Sequence, residues 1–280
     1  MTVRIVTDSA CDLPESVATD LGIEIVPLSI RFGDTEYIDR VELTTAEFWA
    51  KAAATSGLPE TAAPAPGAFE TVFRQAAADG ATGVVVVSLS GALSATMQSA
   101  ELAARSVADE IAVRVVDSRS VSLGLGTIAV ACARAAAEGS DLDVVAALAT
   151  DLASRTRVFG ALDTLENLKK GGRIGNAKAL LATALAIKPI IEVVEGKVEQ
   201  GGKQRTRSKA LAFLVDKVRE YQGRMSGLAV LHADCTDVDQ FVDMLRPLYD
   251  GEIIVGEIGP VIGTHAGRGT IGVAFTESAT

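Results

Sequence analysis

The fourteen residues GPVIGTHAGRGTIG, 259–272, place five glycines around His265, one of two histidines in a chain of 280 residues. A histidine beside Thr264 in so glycine-rich a stretch suits four roles: part of a phosphate loop, a metal ligand, a general base, or a residue that fills a turn. The other reactive side chains narrow the chemistry. Cys11, Cys132 and Cys235 are scattered, odd in number and without CxxC spacing, which argues against a disulfide framework and a thiolate zinc site. No GxxxxGK[ST] loop occurs, and no ordered set of nucleophile, base and orienting group emerges, so no catalytic residue, metal or cofactor is assigned. Asp8, Ser9, Ser88, Ser90, Asp117 and Ser118 each end a strand-like run. There they can meet a ligand beyond the carboxyl ends of a sheet, or simply cap helices.

The elements that must carry these residues follow from the apolar pattern. VRIVTDS at the start, GVVVVSLS at 83–90 and AVRVVDS at 112–118 are short apolar runs ending in turn formers. Between them TTAEFWAKAAA opens with the capping-box spacing Thr44 to Glu47, and GAFETVFRQAAADG and TMQSAELAARSVA have helical composition. Buried strands alternating with helices predict a largely parallel sheet covered on both faces, giving residues 1–160 as an N-terminal α/β domain. The rhythm then changes. A strand, a helix ended near Gly171–Gly172, another helix and a hairpin turning at EGK are predicted in succession. SKALAFLVDKVREY sets Leu211, Leu214, Val215 and Val218 on one helical face, and the strands GLAVLHA and GEIIVGEIG flank a helix around DVDQFVDMLRPLY. Residues 161–280 therefore read as a mixed α+β domain.

Composition excludes several classes. Hydrophobic residues at 48% and charged ones at 22% describe an ordinary globular chain. A formal charge of −10 opposes a nucleic-acid surface, which needs clustered Lys and Arg. The start reaches Asp8 too soon for a secretory apolar region, and ALLATALAI is closed by Lys188 and Pro189 well short of a span. A cytoplasmic protein, not integral to a membrane, is expected.

Seven segments, in order, resemble the successive signatures of the DegV family: VTDSACDLP, PETAAPAPGAF (59–69), LSATMQSA (93–100), TLENLKKGGRIG (164–175), KPII with its hairpin, RTRSKAL (205–211) and GPVIGTHAGRGTIG. The resemblance spans essentially the whole chain. It implies a two-domain protein that holds a long-chain fatty acid between its domains and presents the carboxylate to a separate fatty acid kinase subunit, without cleaving ATP itself. By the same resemblance Thr61 and Ser94 bind the carboxylate, while His265, Arg173 and Arg205 stand near it or engage the kinase as groups able to stabilise charge. The chain departs from the family pattern at Ala62, Ala63, Ala95 and Arg268. Read on their own, Thr61 is a loop residue before prolines, Ser94 a helix N-cap, and the arginines solvated. Two other function classes fit the sequence: a regulatory protein that senses an acyl ligand, and a small-molecule phosphotransferase or hydrolase.

Overall fold

Unbroken runs of β-branched residues must be covered on both sides, and the first half of the chain is built to do so. A computed structural model describes residues 2–279, except for the side chains of 182–186 in the apolar run ALLATALAI. The first half runs β1 (Val3–Asp8), α1 (Glu15–Asp20), β2 (Ile23–Val26), β3 (Ser29–Phe32), β4 (Thr35–Ile38), α2 (Thr45–Ala54), β5 (Glu60–Ala62), α3 (Pro66–Ala78), β6 (Gly83–Ser88), α4 (Thr96–Ser106), β7 (Val113–Asp117), α5 (Leu123–Ala137) and α6 (Leu142–Arg155). Strands β2-β1-β6-β7 form one parallel sheet. Every residue of β6 is buried. Val84 and Val86 pack with Phe69 and Phe73 of α3, while Val85 and Val87 face the core that contains α5, as a period of two requires. Thr44 and Glu47 form the expected capping box.

The second half runs β8 (Thr156–Ala161), α7 (Glu166–Lys170), a 3-10 run Gly175–Ala186, β9 (Lys188–Val194), β10 (Lys197–Gln204), α8 (Arg207–Glu220), β11 (Met225–His232), α9 (Val238–Leu245), β12 (Ile254–Glu257), α10 (Pro260–Ala266) and β13 (Ile271–Glu277). Its six strands follow the order β10-β9-β8-β13-β11-β12, with β11 and β12 parallel and the other pairs antiparallel. The expected apolar face of α8 is buried at all four positions. The EGK hairpin turns through Glu195 and Gly196, both at positive φ, which matches the twist of the strands it joins.

Three features depart from the sequence reading. An antiparallel sheet β4-β3-β5, with strands of three or four residues, packs against α10 and adds Ile30 and Phe32 to the main core. The helix expected after Gly172 is instead a 3-10 run, whose Ala177 and Leu180 pack with Leu162, Leu165 and Val198. Docking of this kind outweighs intrinsic helix preferences worth only tenths of a kcal/mol per residue, up to about 0.7. Strand β8 straddles the 160/161 division and pairs only within the six-stranded sheet. Between the two sheets lies α5, with eleven buried residues, in a core that reaches from Val3 to Ala274. The halves thus share packing rather than meeting at a linker. Among the described residues, no helix is long and apolar enough to cross a membrane.

Candidate functional site

Where the parallel sheet, the small antiparallel sheet and the six-stranded sheet converge, the packing leaves a cavity of about 310 Å³. Its walls are mainly apolar. Val158 and Gly160 come from β8, Ile191 and Val193 from β9, and Val261 and Ile262 from α10. Register places Val158 opposite Val193 and Gly160 opposite Ile191, so two adjacent strands form one continuous wall. The volume lies at the lower end of the range of about 300–1,000 Å³ typical of small-molecule sites.

Thr61, Ser94, Arg173 and His265 all line this cavity, although they come from four distant segments. Thr61 is the central residue of β5, held opposite Ile30 of β3. His265 lies near the end of α10, and its Nε2 is 3.1 Å from Thr61 Oγ1. Asn167 Nδ2 donates to Thr264 O at 3.1 Å, tying α10 to α7. Ser94 precedes α4, with Ala95 rather than Ser94 in the cap position. Its Oγ accepts from Thr96 N at 3.3 Å and shares a hydrogen bond with Thr96 Oγ1 at 2.9 Å. Arg173 donates through Nε to Leu93 O at 3.1 Å and through Nη1 to Gly171 O at 2.6 Å. It forms no ion pair among the described residues.

Burial, with Arg173 nearby, pushes the pKa of His265 down to about 4. The imidazole is neutral at pH 7, and Arg173 carries the positive charge. Nδ1 is buried without a hydrogen-bond partner among the described residues. An orphaned lone pair is more tolerable than an orphaned N–H, so the proton is assigned to Nε2 and His265 donates to Thr61. The Thr61 hydroxyl is then free to donate into the cavity. Sequence reasoning missed Gly171, where a Cβ would stand 2.4 Å from Nδ1. Its GG neighbourhood signalled only a helix end.

Arg205 does not join the cluster; it is exposed just after β10. Nearby, Arg207 is committed to Asp237 through Nε and Nη2, both at 2.9 Å. Ala62, Ala63 and Ala95 line the cavity, and Arg268 pairs with Asp234 outside it. The strand-end residues hold turns instead of lining the cavity. Asp8 accepts from Ser88 Oγ and Leu89 N at 3.2 and 2.8 Å, Ser90 Oγ donates to Gly196 O at 2.7 Å, and Asp117 accepts from Arg119 N at 2.8 Å. These bonds fix the loops that present Leu89, Leu93, Ser94 and Val121.

Two α/β halves sharing a core around an apolar cavity with one polar end define a small-molecule-binding class of protein. The family model described as "uncharacterised protein, DegV family" matches residues 2–278. The chain belongs to the DegV family. A DegV domain-containing protein of Mycobacterium tuberculosis is 38% identical over 279 residues, which cover 98% of this chain and 96% of that protein. A Thermus thermophilus DegV family protein described as fatty acid binding superposes with a TM-score of 0.90 at 35% identity, covering 99% of this chain and all of the other. DegV of Bacillus subtilis, described as a fatty acid binding protein, gives a TM-score of 0.90 at 27% identity over 99% and 100% of the two chains.

Proposed function

We propose that this protein binds a long-chain fatty acid in the cavity, with the carboxylate at the polar end, and presents it to a separate fatty acid kinase subunit. The observation that carries the reading is the convergence of Thr61, Ser94, Arg173 and His265 on a mainly apolar enclosure, with Thr61 against His265 and Arg173 beside both His265 and the Leu93–Ser94 loop. The relatives described as fatty acid binding support it. Burying about fourteen methylenes at roughly 0.8 kcal/mol each contributes on the order of 11 kcal/mol before association costs, so the chain supplies most of the affinity. Thr61 and Ser94 offer hydroxyl donors to the carboxylate, which is costly to bury without partners.

In the second part of the proposal, a carboxylate oxygen attacks the terminal phosphorus of a nucleoside triphosphate held by the kinase, giving an acyl phosphate and the nucleoside diphosphate. Arg173 stabilises charge on the incoming phosphoryl group, and exposed Arg205 steers the partner. Extraction of the purified protein followed by mass spectrometry, with titration of delipidated protein by a panel of fatty acids, tests the first part. Recovery of no acid and binding of none would reject it. For the second part, Arg173→Ala and His265→Ala are expected to retain much fatty-acid binding while acyl-phosphate formation with the kinase falls far more. Parallel loss of both would confine these residues to holding the ligand.

A further inference from the structure

We propose that Asp12 is a positioning residue for the acyl head group, acting from outside the cavity through α10 on His265 and Thr61. The inference rests on the fatty-acid reading above. Asp12 is 2% exposed and does not line the acyl cavity. Its Oδ1 accepts from Gly259 N at 2.9 Å and its Oδ2 from Ser122 Oγ at 2.5 Å. Gly259 is the residue immediately before α10, and Ser122 the residue immediately before α5. One carboxylate therefore pins the start of the helix that carries His265 and the start of the helix shared by both sheets. Ser122 also lines the cavity.

The surrounding backbone is shaped to this contact. Asp12 and Ser122 both adopt positive φ, at 51° and 52°, an uncommon conformation for residues with side chains that surrounding structure must hold in place. Gly259 has an ordinary φ of −74°, so no backbone requirement calls for glycine there. A Cβ at that position would stand 3.0 Å from Asp12 Oδ1, and one at Gly256 would stand 2.6 Å from Asp12 O. Two glycines thus open the path by which Asp12 reaches across the junction. Asp12 forms no ion pair among the described residues. Arg40 donates instead to Leu13 O at 3.0 Å. Arg40 still adds positive potential at Asp12, Asp39 adds negative, and Glu15, His232 and Glu257 share a neighbouring cavity with Asp12. A carboxyl group, protonated or not, keeps an oxygen that can accept the Gly259 N–H, which suits Asp12 to anchoring a helix start.

The test combines fatty-acid affinity by calorimetry with the ¹⁵N signals of His265 in ligand-free protein, for wild type, Asp12→Ala, Asp12→Asn, His265→Ala and the Asp12→Ala/His265→Ala double variant. Each single alanine variant is expected to weaken binding about fivefold, and the double variant no more than about tenfold, because residues acting through one contact are not additive. Asparagine tolerates positive φ, can accept from Gly259 N and can donate to Ser122 Oγ, so Asp12→Asn should restore affinity to within about twofold. The His265 signals should shift in Asp12→Ala and return in Asp12→Asn. A double variant weakened by the full product of about 25-fold, or His265 signals unmoved in Asp12→Ala, would overturn the proposal. Should Asp12→Ala fail to fold, Gly259→Ala, which presses a methyl against Oδ1, carries the same readouts with the same expected direction. If the wild type binds no fatty acid, the functional reading fails, and the His265 signals alone decide whether Asp12 positions α10.

Discussion

Two cavities flank α10, and they differ in nearly every respect except their neighbour. The acyl cavity, about 310 Å³, takes Val261, Ile262 and His265 from this helix and has apolar walls with Arg173 at its polar end. The other, about 690 Å³, takes Gly259 and Pro260 and is edged by Asp12, Glu15, Glu24, Asp39 and Glu257, with Arg40 and His232 among them. Volume alone would select the wrong one for a fatty acid. An anion with a long chain needs apolar walls and a few donors at one end, whereas the larger cavity would set five carboxylates against it. The contrast extends to protonation. Burial keeps His265 neutral on one side, and on the other pushes Asp12 up to about 7 and Asp39 up to about 6.

The largest expected effect comes from filling the first cavity. A Cβ at Gly160 would make only ordinary contacts, 3.6 Å to Ile191 and Leu162, so a longer side chain there can extend into the cavity. Gly160→Leu should displace about four methylenes and weaken binding of a long-chain acid by roughly a hundredfold or more, while a correspondingly shorter acid loses little. Equal loss for both lengths in calorimetry would mean that the chain does not run along β8.

Next in size is the head group. Thr61→Ala with Ser94→Ala removes two hydroxyl donors and should cost about ten- to a hundredfold in affinity with unfolding unchanged. Unaltered affinity in the double variant would move the carboxylate elsewhere.

The acidic side is better probed by stability. Asp39 is 1% exposed, and burial outweighs the opposing influence of Ser9 and Arg40 on its carboxylate. Its folded pKa of about 6 stands above the ordinary 3.8, so the folded protein binds more protons than the unfolded chain between those values. Stability from this group is present below pH 3.8 and is lost as pH rises through 6. Asp39→Asn should therefore match wild type near pH 4 and exceed it by about 1–3 kcal/mol at pH 8, measured by denaturant unfolding. His265 works in the opposite sense, because a depressed imidazole pKa costs stability as pH falls from 6.5 towards 4. A constant difference between Asp39→Asn and wild type across pH would refute the buried-charge account.

The smallest effects belong to the surface. Glu257→Gln in the acidic cavity and Arg205→Ala beyond β10 should each leave fatty-acid affinity within about twofold, since exposed charges contribute little. Arg205→Ala should instead reduce the salt sensitivity of productive association with the kinase.

Much of this architecture was legible because the relevant signals are local. Unbroken valines marked β6, the spacing of Leu211, Leu214, Val215 and Val218 marked α8, and Thr44 with Glu47 marked the start of α2. The small sheet was not legible. Its strands are too short for alternation to emerge, and Glu60 and Ala62 on either side of Thr61 are both exposed. Nor could the apolar character of α5 reveal that it lies between two sheets. At the site, motif resemblance pointed to four residues that line one cavity, but its apolar walls were hidden because a Val or Ile beside an enclosed space looks like one in a packed core. The neutrality of His265 was beyond reach for a related reason. It depends on burial and on Arg173, which is 92 positions away in the sequence.

The place of β13 in its sheet governs when the protein can become competent. This strand follows every other element of the fold, yet it lies between β8 and β11 and pairs with both. During synthesis the strands on either side must wait for it, with their apolar edges unpaired. The Thr61–His265 contact likewise joins residues 204 positions apart. Such long-range closure is slow, and it exposes strand edges to wrong partners until it is complete. A chain cut short of residue 271 would keep nearly all the residues that line the cavity but lose the strand that joins β8 to β11, and with it the closed wall behind them.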